Sequence, residues 1–246
     1  KKEKTDAGIV VVDEGHLLLT AKNQAYLGGN HLNDLLAKSK VVVLVYDENQ
    51  IMNKSQIWVD DSFLTLQHQA MVSGNLNLIM LHNQMRIHAT KETVEWIRNL
   101  IDAGVVNEVP IDNDYDIRVF DSPEELQSAI MEKNDNQSLG ISRLTATYDW
   151  EYSSQSKPKD SDYWCVRIGD WSCPWNRQLA KEKESKHLSW IEQSQTIHEI
   201  GSTFTVQGFD LNYVGVIIGP SVKYRDGKII FDISESKNKS AVQNRK

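Results

Sequence analysis

Ile9-Val10-Val11-Val12-Asp13-Glu14-Gly15-His16 sets four β-branched residues directly before two adjacent carboxylates. Gly8 and Asp13 bound the apolar run, which reads as a buried strand. Open α/β sheets bind ligands beyond the carboxyl ends of their strands. An acid at that edge can hold Mg²⁺, and a second can orient or deprotonate an attacking water. A strand ending in a solvated acidic turn is the other reading, and the rest of the chain has to decide between them.

Six apolar residues, Val41–Tyr46, form a second buried strand and run into Asp47-Glu48-Asn49-Gln50. Gln50 can hydrogen-bond both a γ-phosphate and a lytic water, although Asp-Glu-Asn is also ordinary turn chemistry. His31–Ala37 reads as a short helix between the two strands. Residues 53–75, rich in Gln, Ser and Asn, read as a helix-poor connection.

A second series follows. Leu76–Leu81 predicts a strand leading to Gln84 and Arg86, whose cation can stabilise charge developing on phosphate or form a surface ion pair. Thr90 caps a helix with Val94, Ile97 and Ile101 on one face. Tyr115–Phe120 reads as a strand. Ser122-Pro123-Glu124-Glu125 starts a helix that turns Leu126 and Ile130 inward. Ser142–Tyr148 and Val214–Ile218 complete the sheet, and Val222–Tyr224 with Lys228–Phe231 forms a hairpin around Asp226-Gly227. Thr203–Tyr213 enters the strand at Val214, with Gly208 permitting a tight turn. Five of the seven tryptophans fall between Trp150 and Trp190. That stretch reads as an insertion with its own aromatic packing, or as a base-stacking surface of Trp164, Trp171 and Trp175 beside Arg167 and Arg177.

Strands alternating with helices imply α/β lobes with mainly parallel sheets. The net charge of −7 argues against a simple electrostatic nucleic-acid binder, but the charge is uneven. Residues 92–135 hold twelve acidic and three basic side chains, while 223–246 hold seven basic and three acidic. The longest apolar run is six residues, against about 20 for a membrane span. Cys165 and Cys173 lack a second Cys/His pair to make a zinc site and read as free thiols in a cytoplasmic protein.

Four phrases occur in the order of superfamily 1 helicase motifs: Asp13-Glu14-Gly15-His16, then Asp47 to Gln50, then Gln84-Met85-Arg86, then Gln207-Gly208-Phe209-Asp210. With VVVLVYDENQ, LHNQMRIHATKETVEWI, SRLTATYDW and TVQGFDLNYVGVIIG, they make nearly the whole chain resemble bacterial P-loop proteins related to the Schlafen group 3 helicase-like domain.

That resemblance implies a RecA-like P-loop fold: residues 1–70 as the later half of one lobe, and 71–246 as a second lobe with an insertion near 150–190. It implies ATP and Mg²⁺ as cofactors and DNA or RNA as partner. Asp13 would ligate the metal and Glu14 would act on the water. His16 would link the site to the second lobe, Gln50 would sense the γ-phosphate, and Asp47 would belong to the nucleotide-binding set. Arg86 would contact that phosphate from the second lobe, and Gln207, Gly208 and Asp210 would couple nucleotide to strand. Asp13, Glu14, Gln50, Arg86 and Gly208 are all expected at carboxyl edges of parallel strands. Tyr46 stands where superfamily 1 motors carry Gly, and no Gly-x-x-x-x-Gly-Lys-[Ser/Thr] is present. The resemblance would place that loop before residue 1, so the 246 residues alone are expected to bind ATP weakly. A nucleotide-gated or degenerate binding module that does not unwind is the competing reading.

Overall fold

Ala7–Val12 (β1) and Ser39–Leu44 (β2) run parallel, with Ile9 opposite Val41 and Val12 opposite Leu44. The structure is a computed structural model describing residues 7–22, 26–58, 62–81, 86–136, 140–181 and 183–242. A parallel pair needs a crossover. Here the crossover includes α1 (His31–Leu36), whose N-cap Asn30 accepts from the Asn33 N–H through its side chain. Leu32 is buried and α1 packs on β2. The continuous apolar runs predict strands covered on both faces, but Ile9 and Val11 remain 68% and 69% exposed. Within the described residues only one face of this two-stranded sheet is covered, and an unbroken apolar run fits either case.

Ser62–Val72 is helix α2, where the composition predicts a helix-poor connection. Phe63, Leu66, Gln67 and Ala70 form its half-buried side, a helical spacing, while its remaining polar residues face water. The chain divides into two compact units, residues 1–82 with 239–246, and residues 83–238.

In the second unit Thr90 caps α3 (Lys91–Asp102) as expected. The inward side differs: Thr93 is fully buried while Ile101 is 67% exposed. Asp112 causes this. One carboxylate oxygen accepts from Thr90 N–H, Thr90 Oγ1 and Thr93 Oγ1; the other accepts from the Asp114 and Tyr115 N–H groups. These donors hold the Asp112 carboxyl far below the usual carboxylate range. The predicted strands Leu76–Leu81 and Tyr115–Phe120 are absent, each being irregular. β propensity there meets no partner strand among the described residues, and Leu81 and Val119 are 83% and 85% exposed.

α4 (Pro123–Asp135) starts at Ser122 as its sequence dictates, and buries Ile130. It lies on β3 (Ser142–Ala146), all five residues of which are buried. β3 is the centre of a parallel sheet, flanked by β6 (Ile200–Gly201) and β7 (Tyr213–Ile217). Gly215 of β7 lets α4 approach: a Cβ there would meet Leu144 Cδ2 at 2.5 Å and Ile130 Cγ1 at 2.9 Å.

The tryptophan-rich stretch packs into this core rather than only on itself. β4 (Cys165–Ile168) and β5 (Trp171–Pro174) form an antiparallel hairpin whose Val166 and Cys173, with the following Trp175, cluster with Leu144 and Ile200. All five indole N–H groups are used internally. Trp150 donates to Arg167 O, Trp164 to Ser156 O, Trp171 to Gln127 Oε1, Trp175 to Glu151 O and Trp190 to Glu199 Oε2. This is a scaffold, not a row of open stacking faces. Burial pushes the free Cys173 thiol up to about 12. Helix α5 (Thr203–Val206) precedes β7, a hairpin of β8 (Val222–Arg225) and β9 (Lys228–Phe231) follows it, and α6 (Lys239–Val242) ends the described chain.

Candidate functional site

The turn after β1 is tightly built. Glu14 adopts φ 53°, a left-handed conformation uncommon outside glycine. The Gly15 N–H donates to Val45 O at 2.7 Å, strapping the turn to the end of β2. A Cβ on Gly15 would collide with the Leu44 side chain and Val45 O, so only glycine passes here. Asp13 is exposed, and its Oδ1 accepts from the Glu14 N–H at 2.9 Å. His16 is 3% exposed, with Nε2 2.9 Å from Glu14 Oε2 but off the line of a hydrogen bond. Nδ1 of His16 has no hydrogen-bond partner among the described residues. His16 is therefore buried and contacts the residue predicted to act on water.

Asp47 caps the 3₁₀ turn Glu48–Gln50, accepting from the Asn49 N–H at 3.0 Å and from Gln50 Nε2 at 2.9 Å. All four residues from Asp47 to Gln50 are exposed. Because β1 and β2 are parallel and in register to Val12 and Leu44, Asp13–Glu14 and Asp47–Gln50 leave the sheet at the same carboxyl edge. Tyr46, just before Asp47, stacks on Phe63 of α2 at 4.8 Å between ring centroids. Tyr46, which stands where the resembled motif carries glycine, is thus an aromatic anchor.

In the second unit Arg86 Nε lies 3.7 Å from Asp210 Oδ1, both side chains about three-quarters exposed. The residue expected to contact the γ-phosphate thus meets one expected in the loop that couples nucleotide to strand. Gln207 ends α5 and Gly208 follows at φ 83°. The segment then reaches the amino end of β7, where Asn212 Oδ1 accepts from the Ile141 N–H. Gly208 therefore lies between α5 and the amino end of β7, and among the described residues no strand leads directly into Arg86. Residues 82–85, which carry Gln84, lie outside the described residues.

What holds this segment had no motif to announce it. Ser202, the N-cap position of α5, donates its hydroxyl to Asn176 Oδ1, and Asn176 Nδ2 donates to Tyr148 Oη. Asn176 and Arg177 both take positive φ, 71° and 68°. Glu199, 1% exposed, accepts from the Gln178 and Leu179 N–H groups and from Trp190 Nε1. A charged residue between Ile197 and Ile200, just past the Trp-rich stretch, was the available hint, since buried carboxylates need several donors.

No group of three or more metal-ligating side chains occurs among the described residues. A single exposed carboxylate, Asp13, nonetheless suits Mg²⁺, which is ordinarily held by one or two carboxylates together with phosphates and water.

The Schlafen group 3 DNA/RNA helicase domain model matches residues 1–246. The chain belongs to that family. The Schlafen group 3 domain is also 33% identical to the uncharacterized protein YPL245W of Saccharomyces cerevisiae, over 91% of the chain and 51% of the relative. It thus spans about half the length of the curated relative it matches. No solved structure matches it. Among the described residues, no helix is long and apolar enough to cross a membrane.

Proposed function

We propose that this domain is part of an ATP-driven, helicase-like motor on DNA or RNA, with a RecA-like arrangement in the whole protein. The observation that carries the reading is the shared carboxyl edge of β1 and β2, which brings Asp13–Glu14 and Asp47–Gln50 out together. Asp13 would hold Mg²⁺ bound with ATP, and that cation neutralises charge on the phosphates. Glu14 would orient and deprotonate the attacking water, its carboxylate carried on a left-handed turn of the kind found where geometry serves chemistry. Gln50, with its amide nitrogen held by Asp47, would present its oxygen to the water. Arg86 would leave Asp210 to meet charge developing on the γ-phosphate, an exchange made easy by the exposure of their ion pair.

The test is Glu14→Gln in the whole protein. Steady-state hydrolysis stimulated by nucleic acid should fall about 10²–10⁴-fold while nucleotide binding persists. Hydrolysis unchanged by Glu14→Gln would end the reading. The Glu14–His16 contact favours a second reading, a nucleotide-gated binding module, because it sets the carboxylate beside a buried imidazole. In that case the whole protein binds nucleotide without turning it over, and His16 substitutions do not awaken hydrolysis.

A further inference from the structure

The first unit contains a cleft of about 460 Å³ that the proposed nucleotide chemistry does not use. Its volume is within the range of about 300–1,000 Å³ usual for small-molecule sites. Helix α2 supplies one wall through Thr65, Leu66 and Gln69, the start of α1 supplies Asn30 and Asn33, and Trp58 closes it. No Lys, Arg, Asp or Glu is among the described residues lining it. Among the described residues, the side chains of Asn33, Thr65 and Gln69 have no hydrogen-bond partner in the protein. They present donors and acceptors to whatever enters. Trp58 is half-buried, with its ring 5.0 Å from that of Phe63.

The lining narrows the ligand class. Among the described residues lining it, a phosphate or a carboxylate would meet no cation, so these residues offer a nucleic-acid backbone no charge pairing. A planar, uncharged group with mixed donors and acceptors on its edge and a π-face fits each wall: carboxamides match the edge, and an indole matches the face. We infer that this cleft is a nucleobase site, in which a base stacks on Trp58 and hydrogen-bonds the amides of Asn33 and Gln69. The base belongs either to a single strand or to a free nucleoside. Phe63 touches both Trp58 and Tyr46, so the site connects through two ring contacts to the residue beside Asp47. The inference stands on the cleft's own chemistry, and only its link to Asp47 rests on the motor reading.

The test uses the full chain and three probes: a fluorescein-labelled thymidine homopolymer, an abasic strand of equal length and charge, and adenosine. The base-bearing strand should bind at least about fivefold tighter than the abasic one, as expected for a stacked base. Trp58→Ala should abolish that preference and Trp58→Phe should keep most of it, with melting temperatures confirming that both variants fold. Saturable adenosine binding that is lost in Trp58→Ala but kept in Trp58→Phe assigns the site to a free nucleoside and supports the inference equally. Equal affinity for both strands with no adenosine binding overturns it. So does a folded Trp58→Ala that keeps the preference, or Trp58-dependent binding of a glucose oligomer alone. Whether the whole protein hydrolyses ATP is measured separately. A base preference without hydrolysis removes the motor and leaves this site, while hydrolysis without a base preference does the reverse.

Discussion

Nε2 of His16 lies 2.9 Å from Oε2 of Glu14, with the imidazole 3% exposed and the carboxylate side chain 39% exposed. The pair is close but off the hydrogen-bond line, and the glutamate keeps access to water. Its coupling should therefore be small, in the range of surface pairs. A double-mutant cycle of Glu14→Gln and His16→Gln, followed by chemical denaturation, should give under about 1 kcal/mol. A coupling of several kcal/mol would mean a desolvated ion pair, and Glu14 would then be a structural residue.

In the whole protein, three substitutions should separate into three signatures. Glu14→Gln removes turnover and spares binding, because an amide cannot take the proton. Asp13→Ala weakens Mg²⁺-dependent nucleotide binding, since the charge facing the cation is lost. Arg86→Ala slows turnover with little change in ground-state binding, as its contribution grows with charge on the phosphate. Equal losses in all three that track melting temperature would assign these residues to the fold alone.

Arg143 is a buried cation whose partners are all neutral: Thr196 Oγ1, Asn134 Oδ1, and the carbonyls of Ser142 and Gln193. Burial lowers its pKa to about 10, which still leaves it charged near neutrality. Arg143→Ala strands those acceptors and empties the space between β3 and the turn at residues 193–196. A loss of about 3 kcal/mol is expected, or roughly 6–12 °C in melting temperature. Arg143→Lys should recover little, because an ammonium cannot reproduce the fork. Calorimetry on both variants checks this.

Acid should unfasten α3 through Asp112. Its folded-state pKa is depressed, so its stabilisation is complete above the ordinary carboxylate value of 3.8 and is lost as pH falls toward the lowered one. Amide exchange of α3 should rise below about pH 4 in the unaltered chain. Asp112→Asn should show that faster exchange already at neutral pH, with a flatter acid limb. Identical profiles for the two chains would show that the clamp contributes nothing.

Much of the architecture was legible because short-range rules governed it. Thr90 and Ser122 each cap the helix their sequence announces, and the apolar runs at residues 9–12 and 41–44 pair in parallel. Propensity misled where pairing decided the outcome. Leu76–Leu81 and Tyr115–Phe120 have strand composition, yet a strand exists only where a neighbour supplies its ladder. The polar content of residues 53–75 hid α2, although Phe63, Leu66 and Ala70 carried its period. At the site, the positions of Asp13, Glu14, Asp47 and Gln50 follow from strand ends and could be read directly. The burial of His16 and the Arg86–Asp210 contact depend on chain folding over longer distances, as does the Asn176–Ser202 bond.

The uneven placement of the tryptophans makes the chain an optical instrument. Six of the seven indoles belong to the unit of residues 83–238, and Trp58 alone belongs to the other. Trp175 and Trp190 are sealed from solvent, so the second unit will dominate the short-wavelength emission. A chain with Trp58→Phe reports on that unit alone, and subtracting its spectrum from the unaltered chain's isolates the first. Whether the two units melt together or in turn can thus be read from intrinsic light, without any attached dye.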